Sequence, residues 1–135
     1  AFLVGAGSLG EALMGYPGFA ECGLDIVAAF DVDPNKCHRV IHGKHVRHIS
    51  KLPGLMRRMR VRFGIITVPA SEAQQAADLL VEGGVLAIWN FAPAKIHVPD
   101  RVIVTNEDLY CSLAVLSQKM TRKLAESRSK GVSKS

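Results

Sequence analysis

No stretch of the chain approaches the roughly 18 consecutive apolar residues that a membrane-spanning helix needs, so no such span is expected. Cysteine is scarce as well. Cys22, Cys37 and Cys111 are odd in number and have the spacing of neither a disulfide framework nor a zinc site, so they read as reduced thiols of a cytoplasmic protein. Acid is short, with 12 Asp and Glu against 17 Lys and Arg, which leaves a net charge of +5. Much of that excess sits in Arg122, Lys123, Arg128, Lys130 and Lys134, offset by Glu126 alone and interleaved with serine and glycine, the composition of a solvated tail. A second basic run, Arg57, Arg58, Arg60 and Arg62, precedes an apolar segment and reads as an exposed face, so direct DNA contact is only weakly indicated. The chain opens at Ala1 with no methionine and no basic stretch before its first apolar run. That is the expectation for a piece of a longer protein rather than for a secretion signal.

What is present is one domain's worth of chain. The 135 residues are enough for a single core, and apolar and charged fractions of 48% and 21% fit a globular protein. Short apolar runs rich in β-branched residues alternate with longer helical patterns, the mark of βαβ units and a parallel sheet covered on both faces. The expected strands are Phe2 to Gly5, Ile26 to Asp31, His45 to His48, Gly64 to Val68, Val85 to Asn90 and Val102 to Thr105. Helices are expected over Leu9 to Met14, Lys51 to Met59 and Ser71 to Glu82, the last with Ser71 as its N-cap. A final helix from about Glu107 to Leu124 carries Leu109, Leu113, Leu116, Met120 and Leu124 at spacings of three and four. Such a stripe requires cover from a partner surface. The expected architecture is α/β, a Rossmann-type doubly wound, mostly parallel sheet. Residues 1–106 form the dinucleotide unit, 107–125 a C-terminal helix and 126–135 a basic tail.

The strongest chemical signal is Gly5-Ala6-Gly7-Ser8-Leu9-Gly10, set between a strand and a helix. Gly5 permits the tight turn, Gly7 lets the backbone approach a pyrophosphate, and Gly10 allows close packing of helix on sheet. The phosphates would meet the helix N-terminus, where free N–H groups and the positive dipole end lie. The second strand ends in Phe30-Asp31-Val32-Asp33-Pro34, and an acid at that tip accepts hydrogen bonds from the adenosine ribose and repels an added phosphate, which favours NAD(H) over NADP(H). Asp31 is the first candidate and Asp33 the competitor; Val32 and Lys36 belong to the same candidate group. Two more loops leave strand tips on the same sheet edge, Thr67-Val68-Pro69-Ala70 and Asn90-Phe91-Ala92-Pro93, and ligands of such sheets lie outside the carboxyl ends of the strands. Phe91 would wall the nicotinamide half.

Catalysts are few. His38, His42, His45, His48 and His97 fall in loop or edge segments without the paired acid or metal partner that proton transfer or zinc binding needs. Tyr110 and Cys111, near the start of the last helix, read as part of a surface that faces a partner. The expectation is therefore a binding domain and not an enzyme.

Taken together, Val4 to Gly10, Tyr16-Pro17-Gly18-Phe19, Phe30 to Pro34, Ile66 to Ala70 with Ala73-Gln74 and Ala77-Asp78, Asn90 to Pro93 and Asp108-Leu109 resemble the bacterial redox-sensing transcriptional repressors of the Rex family, over residues 1 to about 120. The resemblance implies a homodimer that senses the ratio of NADH to NAD and is released from operator DNA by NADH. It places the DNA-binding winged-helix domain upstream of Ala1. It also implies that Gly5, Ala6, Gly7, Ser8, Leu9 and Gly10 hold the pyrophosphate and Asp31 the ribose. Val68, Pro69, Ala70, Asn90, Phe91 and Ala92 then lie beside the rest of the dinucleotide, and Tyr16 near the nicotinamide. Asp108 begins a helix exchanged between subunits. Ser8 and Glu107 depart from the family's usual residues. Two other readings stay open: a CoA-binding Rossmann domain of the acyl-CoA synthetase kind, and a fragment of an NAD-dependent oxidoreductase.

Overall fold

The computed structural model describes residues 1–107 and 118–126. Strand β1 (Phe2–Val4) leads through a glycine loop into α1 (Ser8–Met14) and the short α2 (Gly18–Glu21), then into β2 (Ala28–Asp31). A hairpin of β3 (Val40–Ile41) and β4 (Lys44–His48) follows, and α3 (Leu52–Met59) returns the chain to β5 (Phe63–Ile66). Helix α4 (Ala73–Glu82), β6 (Ala87–Asn90) and β7 (Ile103–Asn106) complete the sheet. The strand order is β3-β4-β2-β1-β5-β6-β7, with every pair parallel except the β3–β4 hairpin. Without the edge strand β3 this is the doubly wound order, and the chain reverses its direction of winding between β1 and β5.

Alternation along the strands divides the core in two. Phe2, Val4, Phe30 and Ile66 pack with Leu52 and Met56 of α3 and with Ala73, Ala76, Ala77 and Leu80 of α4. Leu3, Ala29 and Ile65 face the other way, toward Met14 of α1. Phe2 and Phe30, one on each of two neighbouring strands, bring their ring centroids to 4.8 Å. The middle strands are buried on both sides, which is why they read as unbroken apolar runs without alternation.

The expected elements are found, with strand ends moved by one or two residues. The short edge strand β3 and the single turn α2 carry too few residues for a periodic signal. The expectation of Ser71 as an N-cap is corrected. Pro69 is extended, a 3₁₀ turn over Ala70–Glu72 follows it, and α4 begins after Glu72 with no side-chain cap. The Glu72 N–H is taken by the Pro69 carbonyl at 2.9 Å, which closes the 3₁₀ turn and puts Ser71 inside it, one residue short of the helix N-cap position at Glu72.

The expected final helix is described only over residues 118–126, which are helical and exposed; Asp108, Leu109, Tyr110, Cys111, Leu113 and Leu116 lie outside the described residues. Met120 and Leu124 stand 58% and 52% exposed, so the described part of the apolar stripe is uncovered on the single chain.

A Cβ at Gly10 would run into the Gly5 carbonyl and lie 3.1 Å from the Leu3 side chain. Gly10→Ala must therefore push α1 off β1, and overpacking of this kind costs about 1–3 kcal/mol. Urea unfolding should show a lower midpoint; a wild-type midpoint would mean that α1 does not depend on this close approach.

Candidate dinucleotide site

The cleft at the switch point is assembled from the carboxyl ends of β1, β2 and β5. It holds about 680 Å³, within the range of small-molecule sites. Gly5, Gly7 and Leu9 of the glycine loop line one wall. Gly5 has φ +108°, a conformation open to glycine, and a Cβ there would lie 2.9 Å from the Thr67 backbone. The Thr67 hydroxyl donates to the Gly5 carbonyl at 2.7 Å, and the Thr67 N–H to the Val4 carbonyl at 2.8 Å, so the loops after β1 and β5 are locked together. Gly7 is the N-cap of α1. It offers no side-chain cap, and a Cβ added to it would meet nothing within 4 Å. The first-turn N–H groups are thus left for a ligand, over open space.

Asp31 is buried at the tip of β2, and both of its oxygens are engaged by the fold. Oδ2 accepts the Ala6 N–H at 2.9 Å, and Oδ1 accepts the Asp33 N–H at 2.9 Å. Each carboxylate oxygen has further lone-pair capacity, and Asp31 still lines the cleft beside Val32, Asp33 and Lys36. Behind this turn lies Cys37, whose thiol contacts the carbonyls of Asp33 at 3.4 Å and Asp31 at 3.9 Å. Burial, and then the nearby carboxylates of Asp31 and Asp33, push that thiol above its usual pKa, so it stays a protonated donor that braces the acid turn.

Val68, Pro69 and Ala70 reach the cleft from the loop after β5, and Phe91 and Pro93 from the loop after β6. Asn90 does not line it. Its carboxamide is fully buried, donates to the Ala94 carbonyl and to Asn106, and accepts from the Ala92 N–H, so it shapes the loop that presents Phe91. Ala6, Ser8, Gly10 and Ala92 are likewise absent from the lining, with Ala6 and Ala92 buried in the core. Tyr16 stands 57% exposed at the far end of a row of rings. Its ring meets Phe19 at 5.0 Å, Phe19 meets Trp89 at 5.7 Å, and Trp89 meets Phe91 at 4.7 Å. Asp108 lies outside the described residues.

The sequence reading did not select Thr67, Ile49, Glu72 or Gln75, all of which line the cleft. Thr67 had a usable signal, a hydroxyl directly after a strand that adjoins the glycine loop. Glu72 and Gln75 depended on where α4 starts. The lining contains no histidine or cysteine, and no group of three or more His, Cys, Asp or Glu residues that could hold a metal occurs among the described residues. The ionisable side chains of the lining are Asp31, Asp33, Lys36 and Glu72.

A family model described as CoA binding domain matches residues 1–94. A redox-sensing transcriptional repressor Rex from Treponema denticola is 48% identical over 91% of this chain and 59% of its own length. The Rex from Porphyromonas gingivalis strain W83 is 46% identical over 89% of the chain and 55% of its own length. The chain thus spans a little over half the length of the curated relatives it matches. Among solved structures, the Rex-family repressor RSP in complex with NADH superimposes with a TM-score of 0.83, at 32% identity, covering 94% of this chain and 62% of that one. RSP in complex with NAD⁺ and operator DNA gives the same score at 33% identity, covering 96% and 60%. The chain belongs to the CoA binding domain family, and within it is a homologue of the Rex redox-sensing transcriptional repressors.

Proposed function

We propose that this chain is the NAD(H)-binding part of a redox-responsive repressor, in which NADH releases the full-length dimer from operator DNA. The observation that carries the reading is the buried carboxylate of Asp31 at the tip of β2, set beside a glycine loop whose helix N-terminus is uncapped. A pyrophosphate over Gly7 and a ribose at Asp31 fit that pair of features, and RSP binds both oxidation states of the cofactor. The protein acts in the cytoplasm as a sensor and not as an enzyme. Operator contact belongs to the part of the Rex relatives that the chain does not cover. Residues 1–106 serve as the dinucleotide unit, 107–125 as a helix exchanged with a second copy and 126–135 as a basic tail. Tyr16, Asn90, Ala92 and Asp108 complete the site, Asn90 through the loop it holds and Asp108 from the partner's helix.

The family model's description favours one other reading, a CoA site. Asp31 opposes it. A carboxylate suits ribose hydroxyls, whereas the 3′-phosphate of CoA would meet like charge there. Titration with NADH, NAD⁺ and CoA separates the two: binding of CoA in preference to both nicotinamide cofactors would overturn the sensor reading.

Asp31→Asn removes the charge and keeps one oxygen for the buried Ala6 N–H, giving up only the part-buried Asp33 N–H, whereas alanine would leave both unpaired, at a cost of about 1–3 kcal/mol for the buried one. The wild type should bind NADH more tightly than NADPH, and the variant should narrow that preference by tenfold or more. An unchanged ratio would remove Asp31 as the discriminator.

Because a Cβ on Gly7 points into free space, Gly7→Val should fold as the wild type does while its branched side chain occupies the pyrophosphate's place. Fluorescence titration should find NADH affinity reduced at least a hundredfold with an unchanged unfolding midpoint. Retained affinity would refute the assignment of the loop.

Truncation before Glu107 removes the uncovered stripe and the hydrogen bond from Trp89 Nε1 to Glu107 Oε1 at 3.3 Å. Sedimentation should show a dimer for the whole chain and a monomer or aggregate for the shortened one, with weaker NADH binding. A whole chain that stays monomeric at high concentration would refute the exchanged helix and leave the cofactor site standing.

A further inference from the structure

A second concavity lies on the other side of the acid turn. Between β4 and α3 two adjoining hollows, of about 110 and 410 Å³, share Arg47 and Lys51. The smaller is also lined by His38, His45 and His48, the larger by Ser50, Gly54 and Arg58. Neither contains a carboxylate, or a Phe, Tyr or Trp ring, in its lining. The local sequence explains the arrangement. On β4, Val46 is buried while His45 and Arg47 on either side of it are exposed. On α3, Lys51, Leu55 and Arg58 follow one another at spacings of four and three, which puts them on one face. Seven residues of helix spread the two cations over about 10 Å, so the charge forms a stripe and not a point.

Three neighbouring cations outside this groove have acceptors. Arg39 pairs with Glu11 at 3.3 Å, Lys44 with Asp25 at 3.9 Å, and Arg57 donates to the Glu82 carbonyl at 2.9 Å. Arg47, Lys51 and Arg58, which line the groove, have none among the described residues. His48 is held in place: its Nδ1 accepts the Ser50 N–H at 3.2 Å and lies 2.8 Å from the Ser50 hydroxyl, which leaves Nε2 as the proton-bearing nitrogen of the neutral ring. Three full positive charges and a fixed ring donor converge on one groove whose lining carries no carboxylate.

We infer that this groove is a second anion site, separate from the dinucleotide cleft, and that it takes a chain of phosphoryl groups. A guanidinium matches phosphoryl oxygens in bidentate fashion, and a line of cations matches several such groups in succession. The site opens beside the adenosine half of the cleft, since His48 lies opposite Asp31 in the β2–β4 register. Two sources carry this chemistry, a free inorganic polyphosphate and the triphosphate of a nucleotide.

The test is calorimetric titration of the whole chain with inorganic tripolyphosphate and, separately, with ATP, at moderate salt, against the variant Arg47→Gln/Lys51→Gln/Arg58→Gln. All three side chains are exposed, so the variant should keep the wild-type unfolding midpoint. Tripolyphosphate affinity should fall tenfold or more in the variant, while NADH affinity is unchanged and saturating NADH does not displace tripolyphosphate. Equal affinity for tripolyphosphate and ATP would assign the phosphate chain alone as ligand, and tighter ATP binding that the variant loses would assign a nucleotide. The inference is overturned if the wild type fails to bind tripolyphosphate, if the variant binds it as well as the wild type does, or if NADH displaces it. Binding of a duplex oligonucleotide without tripolyphosphate binding overturns it too. NADH affinity is read separately throughout, so failure here leaves the reading of the cleft intact.

Discussion

The Asp31 carboxylate ties together the two segments that make the cleft. One oxygen takes the Ala6 N–H from the loop after β1 and the other the Asp33 N–H from the turn after β2, so a single side chain fixes the spacing between the glycine loop and the acid turn. Hydrogen bonds to an ionised acceptor are worth roughly 1.5–3 kcal/mol, more than neutral ones, and here the bond from Ala6 is buried and that from Asp33 part-buried. The Thr67 hydroxyl does for the loop after β5 what Asp31 does for the turn after β2, through the Gly5 and Val4 carbonyls. With these braces in place the cleft is formed before any ligand enters. Binding therefore does not have to order the loops, and more of the interaction energy appears as affinity.

How far this was legible in the sequence depends on whether a feature is set by local chemistry or by distant contacts. The glycine loop, the acid at the strand tip and the alternation of strands and helices are local, and each appears where its pattern placed it. The roles of individual side chains are not local. Asn90 looks like a cofactor ligand because it sits at a strand tip, yet its amide is spent on Ala94, Asn106 and Ala92. Ser71 looks like a cap because it precedes an apolar stripe, yet the extended Pro69 starts a 3₁₀ turn one residue earlier. Both outcomes rest on where the backbone travels in three dimensions, which no periodicity contains. The row of rings from Tyr16 to Phe91 was hidden for the same reason, since Phe19 and Trp89 lie 70 positions apart, a separation no local pattern spans.

That row of rings bears on how a bound nicotinamide could be felt at a distance. Phe91 lines the cleft, Trp89 packs on it, and Trp89 in turn holds Glu107 at the point where the chain leaves the sheet. Packed aromatic rings shift as a group or not at all, because interiors at crystal-like density have little room for one ring to move alone. A ligand that reseats Phe91 must therefore disturb the support beneath Glu107, at the root of the C-terminal segment. Physical adjacency alone does not make a switch. A ligand changes an equilibrium only by the difference in its affinity for the two states, and to invert a 1:99 population that difference must be about 5.5 kcal/mol.

The oxidation states of the cofactor differ by a charge and by the planarity of one ring, so discrimination between them has to be made where that ring lies. The Asp31 end cannot supply it, because the adenosine half is the same in both forms. With the nicotinamide at Phe91, as proposed, the residues able to supply it include the apolar Phe91, Pro93 and Val68, in a lining that also holds Glu72 and Gln75. An apolar wall disfavours a cationic ring relative to a neutral one, since burying an unpaired charge costs far more than burying a ring without one. On the proposed reading of the cleft, Asp31 and the glycine loop select the dinucleotide, and discrimination between its oxidation states falls to the residues around Phe91.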